Sequence, residues 1–234
     1  MLQLWYQKPA TYWEEALPLG NGRLGAMVWS GVDHETLSLN EDSLWSGYPK
    51  CADIPGAVEY YKQAQQLARE KKYSEAQELL EDMFLSDYTQ SYLPLADLKL
   101  ELEHPQGDVE NYRRSLSLED AISRLTYTIG GTTYTREAFV SAPDQAIVLR
   151  IQADKPGSIT LKARFDCRLR SSCTIEDGRL VLDGVAPSQV DPSYLGETPN
   201  PIVYEENPQK KGMRFCAILE AQAQGKIRFI SITN

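Results

Sequence analysis

Leu95-Ala96-Asp97-Leu98-Lys99-Leu100-Glu101-Leu102-Glu103 is the stretch that decides the fold. Leucines at 98, 100 and 102 alternate with charged residues at 99, 101 and 103. Successive side chains of an extended chain point to opposite faces, so this is a strand with one apolar and one wet side. The same period recurs downstream. Leu116 and Leu118 alternate with serines, Ile147-Val148-Leu149-Arg150-Ile151 is a further strand, and Ile159, Leu161, Ala163 and Phe165 make the next. Phe215, Ala217, Leu219 and Ala221 alternate again, and Ile227, Phe229 and Ile230 give a last strand. Tyr127 to Tyr134 reads as a hairpin closed by Gly130-Gly131, and Asp177-Gly178 joins Ile175 to Leu180-Val181-Leu182 as another. Short strands at close spacing predict a mainly β fold, a large antiparallel β-sandwich.

Upstream, Leu17-Pro18-Leu19-Gly20-Asn21-Gly22-Arg23-Leu24-Gly25 reads as turn-rich chain. It precedes Ala26-Met27-Val28-Trp29, an expected buried strand, and Thr36 to Leu39, an expected half-buried one. Asn40 to Gly47 has the polar composition of a structured loop. Residues 55–86 change to helical spacing and predict a two-helix excursion. Pro55 suits the first helix start, and Ser74 with Gln77 fits a capping box for the second. Ala76, Leu79, Leu80, Met83 and Phe84 form a stripe expected to pack against a neighbouring sheet. Five prolines within residues 184–212 predict a long loop.

The chain has 234 residues and a formal net charge of −9, with 42% hydrophobic residues. That is the composition of a globular chain, read here as one domain over residues 1–234. Dispersed acids without a basic patch argue against nucleic acid as a partner. No apolar run is long enough to span a membrane. The first residues show neither the basic nor the apolar region of a signal peptide, so a cytoplasmic location is expected, with secretion of a longer precursor left open. Cys51, Cys167, Cys173 and Cys216 show no C-x-x-C spacing and read as reduced thiols; a Cys167–Cys173 bridge across a turn is the one pairing that stays open. With two histidines only, no metal site is expected, and no cofactor.

Glycosidic hydrolysis needs two carboxyl groups facing one anomeric centre. Glu41-Asp42 and Glu14-Glu15 are adjacent pairs, which an extended chain turns to opposite faces, so neither is a promising acid/base pair. The glycine-rich turn matches no phosphate-binding motif. Two loops rise above a plain structural reading. Asn21 and Arg23 sit in the glycine-rich turn, and Asn40, Glu41 and Trp45 combine amide, carboxylate and indole. Such groups hold sugars through hydroxyl hydrogen bonds and stacking on C–H faces. They suit docking against another domain still better, and simple capping of the sandwich is the third reading.

The same segments resemble a known family. Trp5-Tyr6, Pro9-Ala10 and Trp13 through Val28 resemble the opening of family 95 glycoside hydrolases, the α-L-fucosidase family. Leu39 through Gly47 is similar to that family's second block, with Ser43 where Thr is usual. Tyr92 through Leu98 resembles a block that carries Gln and Gly where Leu93 and Ala96 stand, and Tyr112 to Ala121 and Tyr134 to Gln145 complete the pattern. The resemblance implies an N-terminal, supersandwich-like β-domain followed by an (α/α)6 barrel. It also implies metal-free, inverting hydrolysis of α-L-fucosides or α-L-galactosides, with the catalytic acid and base on the barrel. That barrel is expected to lie beyond these 234 residues, so no catalytic residue is assigned among them. The expected partners are the barrel and a fucose- or galactose-containing oligosaccharide. Asn21, Arg23, Asn40, Glu41 and Trp45 are expected at the substrate edge or domain interface. A free-standing carbohydrate-binding module and a structural, dimerising domain that forms a homo-oligomer are the alternatives.

Overall fold

The computed structural model describes residues 2–50, 53–85 and 89–227. Strands β1 (Gln3–Tyr6), β2 (Leu17–Gly20), β3 (Leu24–Val28) and β4 (His34–Glu41) precede helices α1 (Ala57–Arg69) and α2 (Tyr73–Met83). Then follow β5 (Ala96–Glu103), β6 (Glu110–Ser117), β7 (Ser123–Ile129), β8 (Thr132–Ser141), β9 (Ala146–Ala153) and β10 (Thr160–Asp166). The described chain ends with β11 (Arg170–Glu176), β12 (Arg179–Val185), β13 (Gln189–Val190), β14 (Ile202–Val203) and β15 (Arg214–Leu219).

The strands build two five-stranded sheets, in the orders β1-β6-β7-β8-β9 and β10-β5-β4-β3-β2. A three-stranded sheet, β11-β12-β15, and the small ladder β13-β14 complete the molecule, and neighbouring strands pair antiparallel. The expected mainly β sandwich with a helical excursion is therefore observed. Alternation sets its core. Leu98, Leu100 and Leu102 of β5 face inward beside Leu37 and Leu39 of β4, and they meet Leu116 and Ala138 of the opposing sheet. Phe215, Ala217 and Leu219 of the third sheet pack against the same core. Each leucine so buried contributes about 1.5–3 kcal/mol relative to exposure.

The turns follow their chemistry. Gly130 and Gly131 link β7 to β8 with φ of 56° and 70°, the two left-handed positions that a tight hairpin turn requires. The glycine-rich stretch holds more order than its composition suggests. Leu17 to Gly20 is an edge strand, and Pro18 is tolerated because an edge strand need not donate on its outer side. Trp29 lies beyond β3, whose residues alternate between buried and half-buried.

Other expectations are corrected. The helix stripe does not pack on a sheet: α1 and α2 pack on one another, and only Ala64 and Ala76 among their residues are buried. Tyr61 and Phe84 stack loosely across the hairpin, ring centroids 6.1 Å apart. The capping box does not form, because α2 begins at Tyr73 with Lys72 as its cap and Ser74 already inside the first turn. The 184–212 loop contains the ladder of β13 with β14. Cys167, Cys173 and Cys216 are free, so the Cys167–Cys173 bridge is not made. Cys51, and the expected last strand beyond Ile227, lie outside the described residues.

Charged residues occupy core positions at two places. Arg114 of β6 is buried beneath the Tyr6 ring and donates to the carbonyls of Lys8 at 2.8 Å and Glu15 at 2.6 Å. It thereby ties down the strap that carries the chain from β1 to β2. Glu35 of β4 and Arg136 of β8 are each 2% exposed and pair at 3.1 Å near the β3–β4 turn. Glu35 also accepts from the amides of Ser30 and Thr36, and Arg136 donates to Val32 O and to the Tyr127 hydroxyl. His104 bridges Asp33 and Tyr127 beside them, at 2.9 Å to each. Burial, the largest influence, pushes the Glu35 carboxyl upward against the pull of Arg136 and the two amides.

Candidate functional site

The opposite end of the sandwich carries the polar loops singled out in the sequence. The β2–β3 turn, the end of β4 and the β8–β9 turn meet there. Asn21 governs the first turn. Its Oδ1 accepts from the amides of Arg23 at 3.0 Å and Leu24 at 2.7 Å, and its Nδ2 donates to Ser141 O at 2.9 Å. One side chain thus shapes a turn of one sheet and fastens it to a strand end of the other. All three of these bonds lie within this chain.

Arg23 leans across the same gap. Its Nε donates to Gln145 Oε1 at 2.7 Å and its Nη1 to Glu41 Oε1 at 3.1 Å. Glu41 accepts through its other oxygen from the Ser43 amide at 2.8 Å and hydroxyl at 2.6 Å. Partial burial disfavours the Glu41 carboxylate, but the Ser43 donors and the Arg23 guanidinium outweigh it and hold the group below the ordinary carboxylate range. A carboxylate held ionised is poorly suited to act as a general acid.

Trp45 joins this group through the backbone. The Asp42 amide donates to Arg23 O at 3.0 Å, and the Trp45 indole donates to Asp42 O at 3.0 Å. The Trp45 ring lies 5.4 Å from that of Tyr92, and both are exposed. Ser46 stitches the loop to its neighbour by accepting from the Ser91 amide and bonding Gln90 Oε1 at 2.9 Å. Gly47, at φ 104°, admits the Gln90 side chain so closely that a Cβ would stand 2.6 Å from it.

Four of the five candidates, Asn21, Arg23, Glu41 and Trp45, are brought into one rim. Asn40 is not among them. It pairs with Gly25 across β3 and β4, and alternation turns it to the face opposite Glu41. Reasoning from the sequence missed Gln145 and Tyr92 as members of the rim, because each is supplied by a loop distant in sequence. Both stood within blocks that carried the family resemblance, which was the available signal.

Comparison with known proteins agrees with those blocks. Residues 4–229 match the family described as glycosyl hydrolase family 65, N-terminal domain. Alpha-L-fucosidase 2 of Arabidopsis thaliana is 35% identical over 228 residues, which is 94% of this chain and 26% of that protein. Probable alpha-fucosidase A of Aspergillus niger is 33% identical over 168 residues, 64% of this chain and 20% of that protein. The chain spans a fifth to about a quarter of the length of these curated relatives. The description names family 65 where the motifs resemble family 95, while the relatives carry the fucosidase name those motifs imply. The chain belongs to the glycosyl hydrolase family 65 N-terminal domain family and is homologous to the N-terminal region of an α-L-fucosidase.

Proposed function

We propose that this chain is the non-catalytic N-terminal β-sandwich domain of an α-L-fucosidase-like glycoside hydrolase. It braces a catalytic barrel and borders that barrel's sugar pocket with the rim of Arg23, Glu41 and Trp45. The observation that carries the reading is the alignment itself: nearly all of this chain corresponds to about a quarter of a protein named as a fucosidase. The rim's chemistry supports it, since its one partly buried carboxylate is occupied by Ser43 and Arg23 rather than poised beside a second acid. Residues 1–234 act as a single domain in this reading, in a cytoplasmic compartment, and the three cysteines among the described residues carry free thiols.

Purified chain incubated with 4-nitrophenyl α-L-fucoside is expected to release no 4-nitrophenol. Steady release would overturn the reading. The exposed Trp45–Tyr92 pair favours one alternative, a free-standing carbohydrate-binding module. Calorimetry with fucose and galactose separates the two. A pocket border alone binds weakly, whereas a dissociation constant tighter than about 0.1 mM would favour the module.

A further inference from the structure

We propose that Arg23 is the sugar-contacting donor of the rim, and that Gln145 and Glu41 are positioning residues that aim it at neighbouring hydroxyls of a neutral saccharide. The inference rests on the sugar-bordering reading and assigns roles within it.

The two positioning groups come from different layers. Glu41 ends β4 of one sheet, and Gln145 closes the β8–β9 turn of the other. Together they hold Nε and Nη1 of a guanidinium whose side chain is still 48% exposed. An arginine on a lone surface would sample many rotamers, and fixing such a side chain in advance removes part of the ordering cost of binding. Gln145 bears a backbone cost for its place. Its φ is 50°, in the left-handed region that residues other than glycine rarely occupy. Its amide is bonded at both ends, donating to Ala142 O at 2.6 Å and accepting from Arg23. Unfavourable backbone held by surrounding bonds concentrates where a side chain must point one way.

Charge selects the ligand class. Glu41 balances the Arg23 cation within a chain of net charge −9. An anion approaching the guanidinium would also meet the Glu41 carboxylate. Hydroxyl groups carry no such penalty and accept from a neutralised guanidinium as readily as water does. The exposed indole of Trp45, tied to Arg23 through Asp42, supplies an apolar surface for a sugar's C–H face.

The test is 1H–15N NMR of the whole chain titrated with methyl α-L-fucopyranoside and, separately, with galacturonate. The Arg23 Nε–Hε and Trp45 indole signals are expected to move together and saturably with the fucoside, and several-fold less with galacturonate. Gln145→Ala should weaken fucoside binding about tenfold and speed solvent exchange of the Arg23 Hε proton, with only a small fall in melting temperature. Gln145→Glu keeps the acceptor for Arg23 but loses the donor to Ala142 O, so it should restore binding and slow exchange in part. Unchanged affinity in Gln145→Ala, a silent Arg23 signal while Trp45 responds, or a preference for galacturonate would each overturn the assignment and leave the sugar-bordering reading standing. If no rim signal responds to either sugar, that reading falls and the assignment with it.

Discussion

Strand β4 carries two glutamates, Glu35 and Glu41, and each pairs with an arginine at 3.1 Å. At one end of the sandwich Glu35 and Arg136 are each 2% exposed; at the other, Arg23 is 48% and Glu41 19% exposed. Same chemistry and same distance, yet the two pairs do different things. The buried pair is almost wholly covered by protein, and it holds the β3–β4 turn against β8. The open pair leaves part of its guanidinium in water, so it has something left to offer a ligand. Solvent access, rather than residue identity, separates a lock from a candidate site.

The comparison is broken most directly by truncating one partner at each end. Arg136→Ala leaves a buried carboxylate without its cation and should cost about 3–5 kcal/mol in urea unfolding, whereas Arg23→Ala should cost less than about 1 kcal/mol. Equal losses would erase the distinction.

A second contrast is one of sign. The Glu35 carboxyl is raised in the folded state, so its contribution is full at low pH and is lost as pH rises through the folded value. The Glu41 carboxyl is lowered, so its contribution is full above the ordinary carboxylate range and is lost as pH falls through the folded value. Unfolding measured from pH 3 to pH 8 should therefore show the advantage of the native chain over Glu35→Gln growing toward acid. Its advantage over Glu41→Gln should shrink over the same interval. Asp120, held at about 2 by hydrogen bonds from Arg124 and Ser117, should behave as Glu41 does, its contribution disappearing as the pH approaches 2.

The smallest effect concerns salt. Glu41→Gln at neutral pH should change stability by less than about 1 kcal/mol, and molar sodium chloride should erase most of that change, since exposed pairs are screened. A melting-temperature difference between the two proteins that persists in high salt would show that the open end is stiffer than its exposure implies.

How far the sequence was legible follows the same division. Leu98, Leu100 and Leu102 announced their sheet because alternation is a local property, and Gly130-Gly131 announced its turn because φ > 0 is one too. Leu17 to Gly20 was harder to read, since a proline and a glycine within four residues mask an edge strand. The helix stripe misled because spacing states which face is apolar, not what covers it. Glu35 and Arg136, far apart in the chain, left one clue. Glu35 stands in register with Leu37 and Leu39, and Arg136 with Tyr134 and Ala138. A charge on an apolar register signals a buried partner, though not its identity. Of the rim, the candidate residues were visible as types; their convergence on Arg23 was not, because it depends on two sheets meeting.

The helical hairpin carries a consequence of its own. It is spliced between β4 and β5, whose residues Leu39 and Ala96 already sit opposite one another in the ladder. The sheet therefore owes nothing to the length or content of that insertion. Mutation can enlarge, shorten or re-clothe it without moving a single core leucine, which leaves this appendage as the part of the domain most open to change.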